Sequence, residues 1–500
     1  MPPITVRAKH RRPVRFPSST TTHPPLLATS TTSKKPGREA ERASRKTMAS
    51  ISQEPRPGIP VLFTQPPPIR DPLVTETLDL QTETVNKCLP FLQGIHTTQR
   101  GPFNALGVPA LQRDHHIAYL YDSLEDYPAG FVAMDASRPW MVYWALAGLS
   151  LLGEDVTRFR KRVVESLRPM QNPTGGFGGG HGQSSHLAGS YATILALAMV
   201  GGEEAFALVD RKAMWQWLGR VKAADGGFCM CEGGEEDMRG AYCAMTIISL
   251  LDLPLELPPD VEARRVGLEN LTSGLPEYLS RSQTFEGGIS GSPGCEAHGA
   301  YAFCALACLS ILGPPEETIF QHMNVPLLLS WLSSRQYAPE GGLSGRTNKL
   351  VDGCYSHWVG GCWPLLQSAL DGKPQGTGRP EISVGSLFSR EGLTRYILGC
   401  CQSHNGGLRD KPGKHADSYH SCYVLAGLSA VQHHHYRTDH SVSSSEIFSS
   451  AFSWRSSPNR AEDNVFEKSD RLAPFHPVYV IPHQAAERMR LRFEGQPLQP

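Results

Sequence analysis

Asp352, Cys354 and His420 are the residues of this chain with the most distinctive chemistry. Asp352-Gly-Cys354 places a carboxylate and a thiol two residues apart, and His420 adds an imidazole from a distant part of the chain. Oxygen, sulfur and nitrogen ligands of this kind suit Zn²⁺, and three protein ligands leave a fourth position open for substrate. The alternative is structural: Cys354 would be a small buried hydrophobe and His420 a hydrogen-bonded core histidine.

Basic residues near this motif predict an anion site. Arg346 and Lys349 precede the Asp-Gly-Cys motif by six and three residues, and Arg239, His298 and Tyr355 occupy matching places in the repeats described below. Such donors together suit a diphosphate. Otherwise Arg346 and Lys349 are solvated loop charges.

A sequence repeat indicates how these distant residues come together. A Gly-Gly-apolar triplet, each ahead of an apolar helical stretch, recurs at 175–177, 226–228, 287–289, 341–343 and 406–408. A spacing of this length is typical of repeat proteins, in which each unit buries its hydrophobic face against its neighbours. The unusual residues follow the Gly-Gly loops, so in a closed ring they would share one rim. Helix N-termini at that rim would favour anions and thiolates.

Hydrophobic periodicity predicts an all-α chain with two concentric layers of helices. The predicted outer helices, such as 325–335, are amphipathic. The predicted inner helices are apolar on nearly all sides and include 190–201, 241–251, 300–312, 354–366 and 422–431. Strand signals are weak and no polar capping repeat is evident, so the sequence favours a closed α/α toroid over an open solenoid.

Aromatic residues on the predicted inner helices indicate an apolar lumen. The set that would line it contains Trp140, Trp144, Tyr191, Tyr242, Tyr301, Cys304 and Trp358. Such a lumen would accept a long hydrocarbon chain, although an aromatic residue on an inner helix, taken singly, more often belongs to a core.

Composition divides the chain into four parts. Residues 1–75 are rich in Pro, Ser, Thr and Arg and predict a disordered basic tail, within which Met48 is an alternative start. Residues 76–432 are predicted to form the barrel, 433–470 a polar insert, and 471–500 an extension packed on the barrel. A second polar insert spans 371–386. Both inserts are expected at the surface, and so are His433, His434 and His435, since three adjacent histidines do not share a helix face.

The charge balance and cysteine usage exclude several classes of protein. Lys plus Arg and Asp plus Glu number 48 each, so net charge gives no reason to expect nucleic acid or an anionic membrane as partner. The apolar stretches are too short to span a bilayer, and no apolar signal-peptide core opens the sequence. Twelve scattered cysteines show no disulfide framework. We therefore expect a reduced, cytoplasmic protein.

Several stretches resemble the β subunits of the CaaX protein prenyltransferase family, and among them the farnesyltransferase type. These stretches are Ser137-Arg-Pro-Trp140, Gly175-Gly-Phe-Gly-Gly-Gly180, Cys295-Glu-Ala-His298, Gly345-Arg-Thr-Asn-Lys-Leu-Val-Asp-Gly-Cys-Tyr355, Asp410-Lys-Pro-Gly-Lys414 and His476-Pro-Val-Tyr-Val-Ile-Pro482. The resemblance implies an α/α toroid that pairs with an α subunit of helical hairpins. It also implies transfer of a farnesyl group from farnesyl diphosphate to the cysteine of a C-terminal CaaX motif.

The resemblance implies roles for individual residues as well. The implied zinc ligands are Asp352, Cys354 and His420, with Lys349 and Tyr355 as further catalytic residues. The implied contacts to diphosphate and isoprenoid are Arg239, His298, Tyr301, Arg346, Lys349, Tyr355 and Trp358. The implied peptide pocket contains Ser137, Trp140, Trp144, His186, Ala188 and Tyr419. Asp410 is implied to bring Mg²⁺ to the diphosphate. The chain departs from the family pattern at Gly189, Ala300 and His357.

Three alternatives stay open at this point. A geranylgeranyltransferase type I β subunit would use the same chemistry with a longer lipid, but bulky Trp140 and the presence of Asp410 favour the 15-carbon donor. A terpene cyclase would need an Asp-x-Asp-Asp acid motif, which the sequence lacks. A noncatalytic helical-repeat interaction protein would have the repeats without the metal.

Overall fold

The computed structural model describes residues 54–67, 72–96, 98–99, 101–125, 127, 129–372, 387–443, 447–460 and 464–498. From Pro55 on they form one compact unit. Its helices are α1 (Glu76–Leu92), α2 (Arg113–Asp122), α3 (Arg138–Leu151), α4 (Arg160–Leu167), α5 (Leu187–Val200), α6 (Glu203–Phe206), α7 (Arg211–Val221), α8 (Met238–Leu251), α9 (Glu262–Arg265), α10 (Leu275–Arg281), α11 (Gly299–Leu312), α12 (Pro315–His322), α13 (Val325–Ser333), α14 (Tyr355–Trp358), α15 (Cys362–Asp371), α16 (Arg390–Tyr396), α17 (Ser418–Gln432) and α18 (His483–Phe493). Strands β1 (His433–Arg437) and β2 (Trp454–Pro458) form an antiparallel pair.

The inner layer is a closed ring of helices. Helices α3, α5, α8, α11, α14 and α17 each contact the next in this order, and α17 contacts α3. Since these helices pack against the outer layer and against each other, nearly every residue of α5 and α11 is buried. The prediction of an all-α toroid, closed rather than open, is therefore confirmed.

The fifth inner element differs from the sequence prediction. One continuous helix over 354–366 was expected, but α14 ends at Trp358 and α15 begins at Cys362. Gly360 lies between them, and a Cβ on it would stand 2.1 Å from the Ser356 carbonyl oxygen. The two consecutive glycines at 360–361 let the backbone turn tightly here, so the prediction of one helix is wrong.

The Gly-Gly loops bring neighbouring repeats into close backbone contact. A Cβ on Gly175 would come within 2.0 Å of the Ala213 carbonyl oxygen of the next outer helix, α7. The loop of the last repeat closes the ring, since a Cβ on Gly406 would come within 2.3 Å of the His115 carbonyl oxygen in α2. These glycines therefore have two roles. They adopt the positive φ angles that their loops require, and they permit close packing between repeats.

We expect Gly406→Ala to destabilise the ring strongly. Gly406 and Gly413 both have a φ of +87°, but a Cβ on Gly413 would meet nothing within 4 Å. Gly413→Ala therefore measures the backbone strain alone. The clash with α2 should make Gly406→Ala less stable than Gly413→Ala by about 1–3 kcal/mol, measured as a lower unfolding temperature. Equal unfolding temperatures for the two variants would contradict this account of ring closure.

Part of the segment predicted to be disordered is ordered in the structure. Residues 1–53 and 68–71 lie outside the described residues, but residues 55–67 pack on the barrel. Phe63 is buried, the Arg56 amide donates to the Gln93 carbonyl at 3.0 Å, and the Gln93 side chain donates to the Thr64 carbonyl at 2.8 Å. The expectation of disorder up to residue 75 is therefore wrong for this segment, because Phe63 packs beside Gly392 and Arg395 of α16 and the backbone forms hydrogen bonds with Gln93 at the end of α1. The remaining domain boundaries stay predictions, and residues 373–386 of one insert lie outside the described residues.

The second predicted insert, residues 433–470, contains the strand pair β1 and β2, which its polar composition did not indicate. His433, His434 and His435 lie on β1, where side chains alternate between faces, and His433 and His435 are buried while His434 is partly exposed. The expectation of a surface histidine run is thus wrong for two of the three residues. The Ser456 hydroxyl of β2 lies 2.8 Å from His435 Nδ1 and 2.9 Å from His483 Nε2, joining the strand pair to α18.

These buried histidines predict acid lability. Burial lowers the pKa of His435 well below its ordinary value and lowers the pKa of His483 to about 4. The unfolded chain therefore binds more protons than the folded chain between about pH 6.5 and 4, so stability should fall as pH falls through this window. His435→Gln should flatten the slope of the free energy of unfolding against pH by up to about 1.4 kcal/mol per pH unit. An exposed control, His404→Gln, should leave the slope unchanged; an unchanged slope in His435→Gln would count against the assignment.

Residues 473–480 of the C-terminal segment cover one end of the lumen, the end at which the inner helices terminate. The Ala473 amide donates to the Leu151 carbonyl at the end of α3. Deeper in, the Tyr143 hydroxyl donates to the Val480 carbonyl at 3.0 Å, and Tyr242 donates to Val478 at 2.6 Å. The opposite end, where the inner helices begin, carries the predicted site residues.

Candidate functional site

The three predicted metal ligands meet at this rim. Ligand atoms of Asp352, Cys354 and His420 all lie within 4.8 Å of one another, and no other group of this kind occurs among the described residues. Asp352 and Cys354 stand in the turn before α14, where Asp352 Oδ1 accepts the Cys354 amide at 2.8 Å. His420 lies in the first turn of α17, the helix that follows in the ring. The packing of these two neighbouring inner helices therefore brings together Cys354 and His420, which are 66 positions apart in the sequence.

The donor set and its electrostatics fit a divalent cation. His420 Nε2 is buried without a hydrogen bond to any described residue, and it lies 3.3 Å from Asp352 Oδ1. Burial opposes protonation of His420, but the neighbouring Asp352 and Asp417 carboxylates raise its pKa to about 10. Burial and the Asp352 carboxylate raise the pKa of the Cys354 thiol well above its usual value. The Asp352 carboxylate contributes to both shifts, and a cation bound beside it would be stabilised by its negative charge.

Asp410 lies beside this centre. Its carbonyl accepts the Gly353 amide at 2.8 Å, which links the Gly-Gly loop of the last repeat to the Asp-Gly-Cys turn. Both oxygens of its carboxylate lie 2.6 Å from Lys411 Nζ, an ion pair that the sequence analysis missed. Burial raises the pKa of Asp410, with Asp352 as a further cause. A second cation at Asp410 would have to compete with Lys411.

The predicted diphosphate residues form a second group on the rim. His298 caps α11 by accepting the Ala300 amide at Nδ1, 3.1 Å away, so the proton of its neutral ring is on Nε2. That Nε2 lies 3.1 Å from the Tyr355 hydroxyl. Burial and Arg346 lower the pKa of His298 to about 4, which keeps the ring neutral. His298 therefore presents a fixed N–H donor to the mouth of the lumen.

The cations of this group differ in how firmly they are held. Arg239 forms two hydrogen bonds to Asp237, at 2.8 and 2.9 Å, and its guanidinium carbon lies 6.0 Å from the centre of the Tyr301 ring. Arg346 pairs with Glu296 at 2.7 Å. Lys349 is exposed and makes no ion pair with any described residue. Its ammonium is thus the cation of the group that is freest to bind an incoming anion.

Aromatic rings form an unbroken circle around the lumen. Neighbouring ring centres lie 4.5–5.8 Å apart in the order Trp140, Trp144, Tyr419, Tyr423, Trp358, Phe303, Tyr242, Tyr191 and back to Trp140. Tyr191 and Tyr242 are buried in the wall, whereas Trp140 and Trp358 are only partly buried although their helices belong to the inner layer. Partly exposed rings near the starts of inner helices show that the mouth of the ring is accessible from the rim. This arrangement can hold a long apolar chain.

The predicted peptide residues lie at the entrance to this lumen. Trp140 and Trp144 stack on one another at 5.5 Å, and Tyr419 accepts a hydrogen bond from Trp358 Nε1 at 3.0 Å. Burial and the neighbouring Cys354 raise the pKa of Tyr419 well above its usual value, as expected for an entrance that adjoins the metal ligands. The other members occupy helix starts: Ser137 before α3, and His186 and Ala188 at the start of α5, where His186 Nδ1 accepts the Ala188 amide at 3.2 Å.

Sequence reasoning missed the carboxylates that orient the rim. Asp237 and Asp417 cap the N-termini of α8 and α17 and at the same time hold Arg239 and His420. A signal was available, since aspartate is a preferred N-cap residue and both precede strongly apolar helices. The predicted helices began at 241 and 422, whereas α8 and α17 begin at Met238 and Ser418, so neither aspartate lay next to a predicted helix start.

A closed α/α barrel with a polar, metal-competent rim and an aromatic lumen defines a prenyltransferase of the toroid class. In agreement, a model of the prenyltransferase alpha-alpha toroid domain matches residues 111–481. The chain is 54% identical over 443 residues to the protein farnesyltransferase subunit beta of Pyricularia oryzae, covering 88% of this chain and 85% of that one. The counterpart from Schizosaccharomyces pombe is 37% identical, with 85% and 98% covered. The chain belongs to the protein farnesyltransferase β-subunit family.

A solved structure supports the fold. Candida albicans protein geranylgeranyltransferase-I, complexed with GGPP, matches with a TM-score of 0.56 and 19% identity, covering 77% of this chain and all of that one. At this identity the likeness shows the fold alone. Among the described helices, none combines the length and apolar content that crossing a membrane requires.

Proposed function

We propose that this β subunit transfers a farnesyl group from farnesyl diphosphate to the cysteine thiol of a C-terminal CaaX motif, with Zn²⁺ held by Asp352, Cys354 and His420. The convergence of these three ligands beside the aromatic lumen is the observation that carries the proposal. A zinc ion at this position would lower the pKa of a substrate thiol so that a thiolate exists at neutral pH. The sulfur then needs no protein general base.

The residues of the rim supply the rest of the reaction. The new bond joins the substrate sulfur to C1 of the lipid, while the bond from C1 to the diphosphate oxygen breaks and its electron pair leaves with the diphosphate. His298 Nε2–H, the Tyr355 hydroxyl, Arg346 and Lys349 stand where they can stabilise this developing charge. Tyr301 lies beside His298, with 5.3 Å between ring centres, and the Arg239 guanidinium carbon lies 6.0 Å from the Tyr301 ring centre. The proposal includes an Mg²⁺ ion held by Asp410, which would assist the departure of the diphosphate. Lys411 would compete with this ion for the Asp410 carboxylate.

The lumen favours a 15-carbon donor over a 20-carbon one. Trp140 lies between Trp144 and Tyr191, at 5.5 and 5.7 Å, and so narrows the space available to an additional isoprene unit. The relatives named above are farnesyltransferase subunits, in line with this preference. Trp140, Trp144, Tyr419, Ser137, His186 and Ala188 would contact the CaaX peptide at the entrance.

The proposal includes a partner and a compartment. Since the relatives are named as beta subunits, we propose that this chain forms a heterodimer with a prenyltransferase α subunit. All twelve cysteines are free thiols, which supports the reducing environment of the cytoplasm.

One experiment tests the proposed function. The chain is co-expressed with a candidate α subunit, and zinc content and initial rates are measured on one CaaX peptide with farnesyl and geranylgeranyl diphosphate. We expect one zinc per heterodimer and a faster rate with the farnesyl donor. Preference for the longer lipid would assign the chain to the geranylgeranyl type, and zinc-free protein without transfer activity would leave only an interaction protein.

A further inference from the structure

Asp417 makes two contacts with one residue. Its Oδ1 accepts the His420 backbone amide at 2.7 Å and so caps α17, and its Oδ2 lies 2.7 Å from His420 Nδ1. An ionised carboxylate only accepts hydrogen bonds, so Nδ1 carries the proton. A cation that binds at this site displaces the second proton of the ring, and the lone pair of the resulting neutral imidazole is on Nε2.

That nitrogen is directed at the metal-competent group. His420 Nε2 is buried, has no hydrogen-bond partner among the described residues, and is the histidine atom closest to Asp352 Oδ1, at 3.3 Å. Asp417 itself is outside the group of three potential ligands. Its contact thus fixes the ring without competing for the ion.

Two other rim histidines show that this proton placement depends on the local cap. His186 and His298 cap their own helices through Nδ1, which accepts the amide two residues later at 3.2 and 3.1 Å. Their protons therefore reside on Nε2, and both rings are donors toward the rim. At α17 the cap is an aspartate and the histidine follows three residues later, so the opposite tautomer results.

We propose that Asp417 is a positioning residue that sets the tautomer and orientation of His420 and thereby the affinity of the site for Zn²⁺. The inference rests on the proposed zinc site and deepens it. Carboxylates that hold ligating histidines in this way commonly change metal affinity by about 10–100-fold when they are removed. We expect an effect of this size here.

Asp417→Asn is the sharpest test. Asparagine is also a good N-cap, so α17 keeps its start, but its amide nitrogen would face His420 Nδ1 and favour the tautomer that has no Nε2 lone pair. In the heterodimer, we expect zinc affinity, measured by competition with a chelator, to fall by about 10–100-fold. The visible spectrum of the Co²⁺-substituted heterodimer should change as well, and saturating zinc should restore part of the activity.

Asp210→Asn is the matched control. Asp210 caps α7 by accepting the Ala213 amide at 2.9 Å. This variant should match Asp417→Asn in unfolding temperature and the wild type in zinc affinity. If Asp417→Asn does not fold, Asp417→Ser takes its place, because serine caps the helix and leaves Nδ1 without its carboxylate; several-fold weaker zinc binding is then expected.

The outcomes separate this inference from the proposed function. Wild-type zinc affinity and an unchanged Co²⁺ spectrum in Asp417→Asn, or in Asp417→Ser where only that variant folds, would overturn the role of Asp417 while leaving the zinc site in place. Absence of zinc binding in the wild-type heterodimer would instead remove the proposed zinc site itself.

Discussion

Replacing Cys354 by alanine should eliminate both zinc retention and lipid transfer. The thiol is one of three groups that converge on the site, and without it the two remaining groups, Asp352 and His420, hold an ion weakly. Loss of the ion removes several kcal/mol of stabilisation from the attacking sulfur, which corresponds to a fall of about 100–1000-fold or more in kcat/KM. Metal analysis of the purified heterodimer and transfer to a CaaX peptide are the measurements.

A matched control distinguishes metal loss from damage to the core. Cys308 is fully buried on the inner helix α11 and is not part of the group that could hold a metal. Cys308→Ala should therefore lose some stability, since a buried side chain is truncated, but keep its zinc and its turnover. A Cys354→Ala protein that is zinc-free and fully active would rule out the proposed chemistry.

Lys349→Ala should slow turnover more than it weakens lipid binding. Lys349 is exposed and lacks an ion-pair partner among the described residues, so its charge is available to the diphosphate as that group leaves. Removing one donor of this kind from a buried oxyanion site costs about 100–1000-fold, and we expect about 10–100-fold here because solvent screens the mouth. Single-turnover rates and lipid affinity are measured separately, so that the effect on the chemical step can be compared with the effect on lipid binding.

Lys212→Ala provides the comparison, since Lys212 is an exposed lysine on the outer helix α7. Lys212→Ala changes the net charge by the same amount at a place remote from the rim. It should leave the single-turnover rate and the lipid affinity unchanged. The Lys349 effect should also shrink with rising salt, as expected for a screened charge. Equal single-turnover rates in Lys349→Ala and the wild type would take this residue out of the reaction.

Residue type and repeat position were sufficient to predict much of the site. Asp352, Cys354 and His420 could be selected because they offer mixed oxygen, sulfur and nitrogen ligands at the starts of apolar helices that follow Gly-Gly loops. The aromatic residues of the lumen could be selected because they lie on helices that are apolar on every side. The implied roles of these residues in binding diphosphate and peptide stay predictions until the variants are measured.

Other features could not be predicted because they depend on contacts between distant segments. The pairing of Lys411 with Asp410 and of Asp237 with Arg239 requires specific rotamers at the rim. The burial of His433 and His435 requires a partner strand some 20 residues away. Polar composition suggested a surface loop there, since a sequence pattern does not show which polar residues will find hydrogen-bond partners in the interior.

The sequence by itself determined the helical repeats, the apolar inner face and the identity of the ligand-bearing side chains, because these follow from local periodicity and residue chemistry. Only the tertiary structure decided that the last Gly-Gly loop packs against α2 and that α17 packs against α3. Closure depends on the small rotation between successive repeats, which accumulates over the whole chain and is not visible in any one of them. That rotation brings His420 to Asp352, and the cap of α17 determines which nitrogen His420 presents.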